Sequence, residues 1–396
     1  MDTFTGQVGL TIFSMFTLHE SVHLFSALCE GGATLGIVYN LFAAFLVLRF
    51  EQPSTSRPAH PRPVTVLKPL HGGEPDLFPR LASFCEQDYP AAIQLVCGTQ
   101  EAADRAIDSV RLLKSRFPNS QIDLVIDERS RGANRKVSNL VSMEAMARHD
   151  IVILSDSDIV VDDQFMGRVI AVLERPSAGA VTCVYYGLAR GGTWARVSAL
   201  NINSQFLPNV IVALTFGAEK PCFGSAIAMD KPTLQRIGGL RPFLDELADD
   251  HAIGSAVRAA GLDVIVPRFA VGHVCFERSL REFWDHHMRS ARTIRSIDPI
   301  GYLGLVFIHP FMFSVLAALA GVTFPLALVA AAFASRVILN SSVERSFRLE
   351  RQALWLLALH DTISFAVFLS SFFGTEVTWR GYHYRLFHDG TIEGND

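Results

Sequence analysis

Two carboxylates at a spacing of two residues are the clearest chemical signal in this sequence. Asp156 and Asp158 directly follow the apolar run Ile151–Leu154, which has the composition of a buried strand. Carboxylate oxygens suit hard cations such as Mg²⁺ and Mn²⁺, which bind through one or two carboxylates plus substrate phosphates. The pattern therefore predicts a divalent cation held against a nucleotide diphosphate. A polar surface turn after a strand has the same pattern and stays open as the alternative.

Short apolar runs alternate with longer amphipathic runs between residues 63 and 280. The apolar runs predict strands at 64–67, 93–97, 122–126, 151–154 and 178–184. The amphipathic runs predict helices at 77–87, 102–117, 136–148 and 163–174. This alternation indicates an α/β domain with a mostly parallel sheet covered on both faces. Ligands of such folds bind outside the carboxyl ends of the strands, and Asp156 lies at one of those ends.

Polar loops follow the other predicted strands. Residues 72–74 come after the first strand, Asp104 opens the helix after the second, and a basic loop at 129–136 follows the third. Each one alone could be an ordinary polar loop. Together they supply acceptors for a nucleotide base and ribose, and donors for phosphate oxygens.

Composition limits the class of protein. The chain has 396 residues, of which 49% are hydrophobic and 19% charged, so it combines membrane segments with a soluble domain. The net charge of −4 argues against nucleic acid as a partner. Six cysteines without a Cys-x-x-Cys pair predict small core residues in a reducing compartment.

Residues 31–48 carry no charge and are just long enough to cross roughly 30 Å of hydrocarbon. Lys and Arg are absent before Arg49, whereas Arg49, Arg57 and Arg62 follow the apolar segment. The charge bias places the N-terminus outside and the next domain in the cytosol. We therefore predict an anchor at 1–50, a linker at 51–62 and a cytosolic catalytic domain at 63–280.

The region 301–375 contains further apolar segments. Residues 302–339 are long enough for two helices with a turn at Gly321 and Pro325, and an arginine cluster at 336–351 then returns the chain to the cytosol. Residues 353–373 contain His360 and Asp361, which are costly against lipid. This last segment either spans the membrane or is a re-entrant or interfacial helix, so the number of crossings stays open.

The motifs occur in an order that resembles the ceramide glucosyltransferases, which are inverting glycosyltransferases with a GT-A fold. The resemblance covers residues 63–295 and rests on six segments, at 104–108, 132–140, 156–159, 223–225, 238–240 and 248–251. The stretch 289–295, followed by His309 and Pro310, is closer to the bacterial relatives that glycosylate hopanoids. The short tail at 376–396 resembles that of other membrane members, which implies a cytosolic tail and favours the re-entrant alternative.

The resemblance implies roles for individual residues. It assigns Asp104 to the uridine side of the donor and Asp156 to the metal and diphosphate. Asp158 stands where the animal enzymes have a neutral residue, which implies a fuller metal clamp. The donor-binding residues implied are Asp104, Lys136, Asn139, Asp156 and Arg292.

Asp250 matches the third acidic position, the general base, and Asp249 lies beside it. A lipid hydroxyl is a poor nucleophile at neutral pH, and a carboxylate within hydrogen-bond reach can accept its proton. Burial and a neighbouring carboxylate raise the pKa of such an acid towards a useful range. The alternative is that both are first-turn acids of a helix, favoured there by the helix dipole.

A basic helix is predicted at 281–300. His286, Arg289 and Arg292 are spaced by three residues, so they share one helix face and could bind the leaving diphosphate. The family motif Gln/Arg-x-x-Arg-Trp keeps only Arg289 here, and Ser290 replaces the Trp. A helix lying against anionic headgroups has a similar composition.

The sequence thus predicts a multi-pass protein of the inner (cell) membrane with a cytosolic GT-A domain. Its predicted activity is metal-dependent, inverting transfer of a hexose or N-acetylhexosamine from a UDP-sugar donor to the hydroxyl of a ceramide or hopanoid-type lipid acceptor. A processive polysaccharide synthase and a non-catalytic membrane scaffold are the alternatives. The first normally needs more spans and an intact Gln-x-x-Arg-Trp motif.

Overall fold

The computed structural model describes the backbone of residues 2–50, 57–217 and 221–394, with side chains from residue 20 onwards. Residues 51–56 of the predicted linker lie outside the described residues. The strands are β1 (Val64–Pro69), β2 (Ile93–Thr99), β3 (Gln121–Ile126), β4 (Ile151–Leu154), β5 (Ile159–Val160), β6 (Ala178–Thr182), β7 (Val184–Ala189), β8 (Ile227–Asp230), β9 (Asp263–Ile265), β10 (Ala270–Cys275), β11 (Glu376–Trp379), β12 (Tyr382–Leu386) and β13 (Ile392–Gly394).

The helices fall into two groups, those that cover the sheets and those that are apolar along most of their length. In chain order they are α1 (Asp2–Phe50), α2 (Leu77–Ser83), α3 (Ala106–Arg116), α4 (Arg135–Glu144), α5 (Phe165–Leu173), α6 (Thr193–Asn201), α7 (Leu207–Thr215), α8 (Lys231–Arg236), α9 (Asp249–Ala259), α10 (Leu280–Ile297), α11 (Pro299–Gly304), α12 (Pro310–Leu319), α13 (Pro325–Ser346) and α14 (Leu354–Ser371).

Seven strands form the central sheet in the order β3-β2-β1-β4-β8-β6-β9. All neighbours are parallel except β8, which runs antiparallel to β4 and β6. The predicted mostly parallel sheet is confirmed. The antiparallel pairing of β4 with β8 sets Leu154 opposite Ile227, so the segments 155–158 and 223–226 meet at one edge of the sheet.

The predicted strand at 178–184 is two strands in two sheets. β6 belongs to the central sheet, whereas β7 pairs with β10 in a second sheet of order β5-β10-β7. The chain changes sheets at Cys183, next to Thr182, whose hydroxyl donates to Phe223 O at 3.0 Å and accepts from Phe223 N at 2.8 Å. Both halves are mostly apolar, and their burial shows no shared alternation, so hydrophobic periodicity cannot locate the break.

Four helical segments are long and apolar enough to cross a membrane: Glu20–Phe50, Thr193–Thr215, Pro325–Ser346 and Leu354–Ser371. The prediction of two membrane helices in 302–339 stays a prediction, because α13 is long enough to cross a membrane whereas α12 has only 10 residues. Helical residues Pro299–Ile308 precede it and meet it at a bend of 63°. Pro310 explains the break, since proline lacks the N–H that a continuous helix requires.

The segment Thr193–Thr215 has no counterpart in the predicted elements. It joins α6 to α7 through a π-helical turn at Ile202–Phe206. Within that turn the Asn203 amide donates to Gly187 O at 2.9 Å and accepts from Gly187 N at 2.7 Å, which fixes the segment to β7. The segment therefore packs between the second sheet and the apolar helices.

Helix α14 runs alongside α10. Its first turns, at Leu356 and Leu357, pack against Phe283, and its last turns, at Val367 and Phe368, pack in a cluster that includes Met288 and Ala291 of α10. Both ends of α14 thus contact the same helix of the catalytic domain. Its 18 residues are also long and apolar enough to cross a membrane, so the two predicted alternatives both stay open.

The ionisable residues of α14 face protein. Asp361 accepts two hydrogen bonds from Arg336, at 2.9 and 2.7 Å, and His360 lies 3.0 Å from it. Arg336 also donates to the carbonyl and hydroxyl oxygens of Ser204, at 2.8 and 3.0 Å. The pair satisfies the charges that would be costly against lipid.

The tail forms a small antiparallel sheet, β11-β12-β13, that docks on the catalytic domain. Leu247 N donates to Gly390 O at 3.1 Å and Ile392 N donates to Asp245 O at 2.8 Å. The tail and the catalytic domain therefore lie on the same side of the apolar helices.

Candidate active site

Buried cations hold the Asp156–Asp158 turn in place. Lys68, at the end of β1, is fully buried and donates to Asp156 O at 2.6 Å, to Ser155 Oγ at 3.1 Å and to Ile159 O at 3.3 Å. Arg80 of α2 donates to Ser157 O at 2.9 Å. The backbone of the turn is thus fixed, and its two carboxylates are left to face the edge of the sheet.

Lys136, in the first turn of α4, joins two of the predicted acids. Its ammonium lies 2.7 Å from Asp156 Oδ1 and 3.0 Å from Asp249 Oδ2. Burial lowers the pKa of Lys136, but the carboxylates of Asp156, Asp249 and Asp250 outweigh burial and raise it above its ordinary value. Lys136 therefore carries its charge at any working pH.

Gly224 is the point on which these groups converge. A Cβ built on Gly224 would lie 2.9 Å from Asp156 Oδ2, 3.2 Å from Lys136 Nζ and 3.5 Å from Asp250 Oδ2. Only the absence of a side chain at this position lets the carboxylates approach from both sides. Residues 94 positions apart in the sequence thus share one cleft, as predicted from their order.

Asp249 and Asp250 do occupy the first turn of α9, as the alternative interpretation held. Their side chains nevertheless belong to the cleft. Asp250 Oδ2 accepts from Gly224 N and Oδ1 accepts from His251 N, both at 2.8 Å. Burial raises the pKa of Asp250, opposed by Lys136 and by these two N–H groups, and burial likewise raises the pKa of Asp249. Asp249 and Asp250 therefore both begin helix α9 and line the cleft.

Asp156 and Asp158 have different environments. Burial raises the pKa of Asp156, and Lys136 opposes the shift. The pKa of Asp158 is lowered although burial alone would raise it, because His273, Arg80 and Lys68 are close. His273 Nδ1 lies 3.5 Å from Asp158 Oδ1, and this buried oxygen has no hydrogen-bond partner among the described residues.

The predicted donor residues Asp104 and Asn139 lie along the same edge. Asp104 Oδ2 accepts from Gly72 N at 2.9 Å and Oδ1 accepts from Ala106 N at 2.8 Å, so it ties the loop after β1 to the start of α3. Asn139 Nδ2 donates to Gly98 O at 2.8 Å, and its buried Oδ1 has no hydrogen-bond partner within the described chain. Asn139 and Lys136 both line a cavity beside Asp156.

The three residues predicted on one face of α10 have separate surroundings. His286 Nδ1 lies 2.8 Å from Glu277 Oε1, and Arg292 donates to the carbonyl oxygens of Phe373 and Glu376. The guanidinium of Arg289 lies 5.3 Å from the centre of the Trp379 ring. Burial and Arg380 lower the pKa of Arg289, and the carboxylates of Asp156, Asp158 and Asp249 oppose this shift. A donor contact by His286 or Arg292 stays a prediction.

Several residues of the site were not identified from the sequence. Lys68, Arg80 and His273 support the carboxylates, and Trp379 and Arg380 come from the tail. A lysine inside the otherwise apolar strand Val64–Pro69 was a usable signal, because an unpaired buried charge is costly. Arg80 and His273 had no comparable signal, since their partners are distant in the sequence.

The family follows from comparison with known proteins. The model of glycosyl transferase family 21 matches residues 31–392, which is most of the chain. The chain belongs to glycosyl transferase family 21. Ceramide glucosyltransferase 1 of Caenorhabditis elegans is 26% identical over 257 residues, which are 63% of this chain and 54% of that protein. Ceramide glucosyltransferase 3 of the same organism is 23% identical over 199 residues, 50% of this chain and 43% of that protein. The matches thus span about half the length of these curated relatives.

Among solved structures, the mannosyltransferase PcManGT from Pyrobaculum calidifontis, in complex with GDP-Man and Mn²⁺, has a similar fold. The TM-score is 0.50 at 19% identity, and the alignment covers 88% of this family 21 chain and 99% of the mannosyltransferase. This likeness supports the GT-A fold that the sequence motifs implied.

Proposed function

We propose that this family 21 protein transfers a hexose or N-acetylhexosamine from a UDP-sugar to the hydroxyl of a membrane lipid of the ceramide or hopanoid type, with inversion. The convergence of Asp156, Lys136 and Asp250 around Gly224 carries the proposal, because it puts a donor-side carboxylate and a general base in one cleft. Relatives that are ceramide glucosyltransferases support a lipid acceptor.

The carboxylates fit a divalent cation. Asp158 Oδ1 is buried without a hydrogen-bond partner among the described residues, and Asp156 lies two residues away on the same fixed turn. The described side chains form no group of three or more metal-ligating residues, so a cation held here would need phosphates and water as its other ligands. Asp156 and Asp158 would hold Mg²⁺ or Mn²⁺, which would neutralise the donor diphosphate.

In the transfer reaction, Asp250 and Arg289 have separate roles. Asp250 accepts the proton of the lipid hydroxyl. At the same time the hydroxyl oxygen of the lipid bonds to the anomeric carbon of the sugar, and the bond from that carbon to UDP breaks. Burial, which raises the pKa of Asp250, makes it a better proton acceptor than an exposed aspartate. In this proposal, Arg289 stabilises the negative charge that develops on the leaving diphosphate.

The helix contacts support a topology with three crossings. Gly36 of α1 abuts Phe307 and Pro310, and Gly32 abuts Phe313, so α12 runs away from the Phe50 end of α1. Asn40 contacts Ser335 and Ser346 contacts Val47, so α13 returns towards that end. With α14 lying along α10, the crossings are α1, the bent α11–α12 unit and α13.

This topology agrees with the arginine distribution. It puts Arg49, Arg345 and Arg385 on the side of the catalytic domain, as the positive-inside rule requires of a cytosolic domain. The N-terminus is then outside, and the cleft opens beside the bilayer. An amphiphilic acceptor can present its hydroxyl there while its tail stays in lipid.

Labelled UDP-glucose and UDP-N-acetylglucosamine, incubated with membranes that contain the protein, test the proposal. We expect one labelled lipid carrying a single added sugar, identified by mass spectrometry. A ladder of products would instead indicate a processive synthase. A protein that gives no labelled product and binds no UDP would be a scaffold, and either result would refute the proposal.

A further inference from the structure

The C-terminal sheet forms one wall of the cavity beside Asp156. The catalytic domain contributes residues such as Leu70, Lys136 and Asn139 to its lining, and the tail contributes Trp379, Arg380 and Tyr382. Lys136 belongs both to this cavity and to the acidic cluster. A molecule bound in the cavity would therefore touch the tail and the cluster together.

The tail is held in this position at both ends. Arg292 and Arg295 of α10 donate to carbonyl oxygens of Phe373 and Gly374, at 2.6 and 3.0 Å. The other end pairs with the loop 245–247, just before Asp249, and buries Val377, Tyr384, Leu386 and Ile392 against Leu247. The wall is thus part of the folded domain.

Arg380 occupies an unusual backbone position. It has φ 52° and precedes Gly381 at φ 84°, in the two-residue turn between β11 and β12. Such turns favour Asn, Asp or Gly, because a Cβ is strained in the left-handed region. An arginine at this strained position points to a role for its side chain.

Among the described residues, the guanidinium of Arg380 makes one long ion pair and no hydrogen bond. Its nearest carboxylate oxygen is Glu74 Oε1 at 3.9 Å, which is too long for a hydrogen bond, and it donates none to the described residues. Arg289 lies against the adjacent Trp379, and burial together with Arg380 lowers the pKa of Arg289 to about 10. Two like charges held near one cavity favour an anion between them.

We propose that the C-terminal sheet completes the donor site and that Arg380 binds the diphosphate oxygens of the nucleotide sugar from the side opposite Lys136. The inference rests on the proposed function, because it takes the ligand to be a nucleoside diphosphate. Guanidinium groups donate charge-assisted hydrogen bonds to phosphate oxygens, and each such bond contributes more than a neutral one. Arg380 would thus act on the phosphates and not on the uridine.

Arg380→Gly separates binding from structure. Glycine tolerates φ 52°, so the variant should keep the turn and its melting temperature. We expect its affinity for UDP in the presence of Mn²⁺, measured by titration calorimetry on the full chain in detergent, to fall by about tenfold or more. Affinity for uridine, which has no phosphate, should stay the same. Arg385→Gln, an exposed change on β12, should leave both affinities unchanged.

The outcomes distinguish this inference from the proposed function. A parent protein that binds no UDP contradicts the proposed function itself. A parent that binds UDP and an Arg380→Gly variant that binds it equally well would overturn the role of Arg380 alone. Equal losses for UDP and uridine would also overturn it, because they would show that the tail shapes the cavity without contacting phosphate.

Discussion

The ammonium of Lys136 lies 2.7 Å from Asp156 Oδ1, the carboxylate that the proposed cation also needs. Lys136 and a bound metal ion therefore compete for one carboxylate until a donor phosphate offers the lysine another partner. The same ammonium reaches Asp249 at 3.0 Å, so it offsets part of the negative charge of the cleft before substrates arrive.

Lys136→Met should have opposite effects on two ligands. Mn²⁺ alone should bind about tenfold more tightly, because the competing ammonium is gone and two buried carboxylates need a counter-charge. UDP should bind more weakly, because a phosphate partner is lost. Electron paramagnetic resonance titration of free Mn²⁺ and calorimetry with UDP measure the two affinities. Lys114→Met, at an exposed position of α3, is the control. Weaker Mn²⁺ binding by the variant would contradict the competition.

Gly224→Ala should disrupt the cleft. The added methyl would lie 2.9 Å from Asp156 Oδ2, closer than real Cβ contacts allow, so the carboxylate or the backbone must move. Sugar transfer should fall by at least about tenfold, since small displacements of catalytic groups are costly. Gly304→Ala, in α11 with open space around its Cβ, is the matched control and should keep activity. Transfer by Gly224→Ala at the parent rate would show that the site lies elsewhere.

The rate of sugar transfer should rise with pH, and the midpoint of this rise should lie above the pKa of an ordinary aspartate. Asp250 works as the unprotonated base, and burial raises its pKa, so activity is lost as pH falls through that raised value. Lys136 opposes the rise in the pKa of Asp250. The midpoint of the pH profile should therefore move to still higher pH in the Lys136→Met variant. The pH profile of kcat/KM measures both. A midpoint at the pKa of a free aspartate, about 3.9, would argue against a buried base.

The buried pair Arg336 and Asp361 should matter for stability more than for chemistry. Removing one partner of a buried ion pair typically costs about 3–5 kcal/mol, because the other charge is left uncompensated. Arg336→Met should therefore lower the melting temperature in detergent strongly. The double variant Arg336→Met with Asp361→Leu should recover part of the loss. A double variant that is less stable than Arg336→Met would show that the pair itself is strongly favourable.

The sequence predicted the strands that are marked by a local pattern of apolar residues. Four of the five predicted strands are single strands at those places, because their apolar runs are bounded by polar loops. The family resemblance implied that Asp156 and Asp250 belong to one site, and both carboxylates lie beside Gly224.

Other features depend on contacts that no local pattern encodes. The helix Thr193–Thr215 is apolar yet is fixed to β7 by Asn203, which the sequence analysis did not single out. The support of Asp158 by His273 joins residues 115 positions apart. The place of α14 also depends on a distant partner, α10, so composition left its orientation open.

Transfer by Asp250→Asn tests the central claim most directly. The account predicts that the variant binds UDP with Mn²⁺ within a few-fold of the parent protein, while lipid glycosylation in a detergent assay falls by about 10²- to 10⁴-fold. Asp108→Asn, an exposed acid of α3, should retain both properties. Comparable turnover by Asp250→Asn and the parent protein would contradict the assignment of Asp250 as the base and, with it, the proposed chemistry of the cleft.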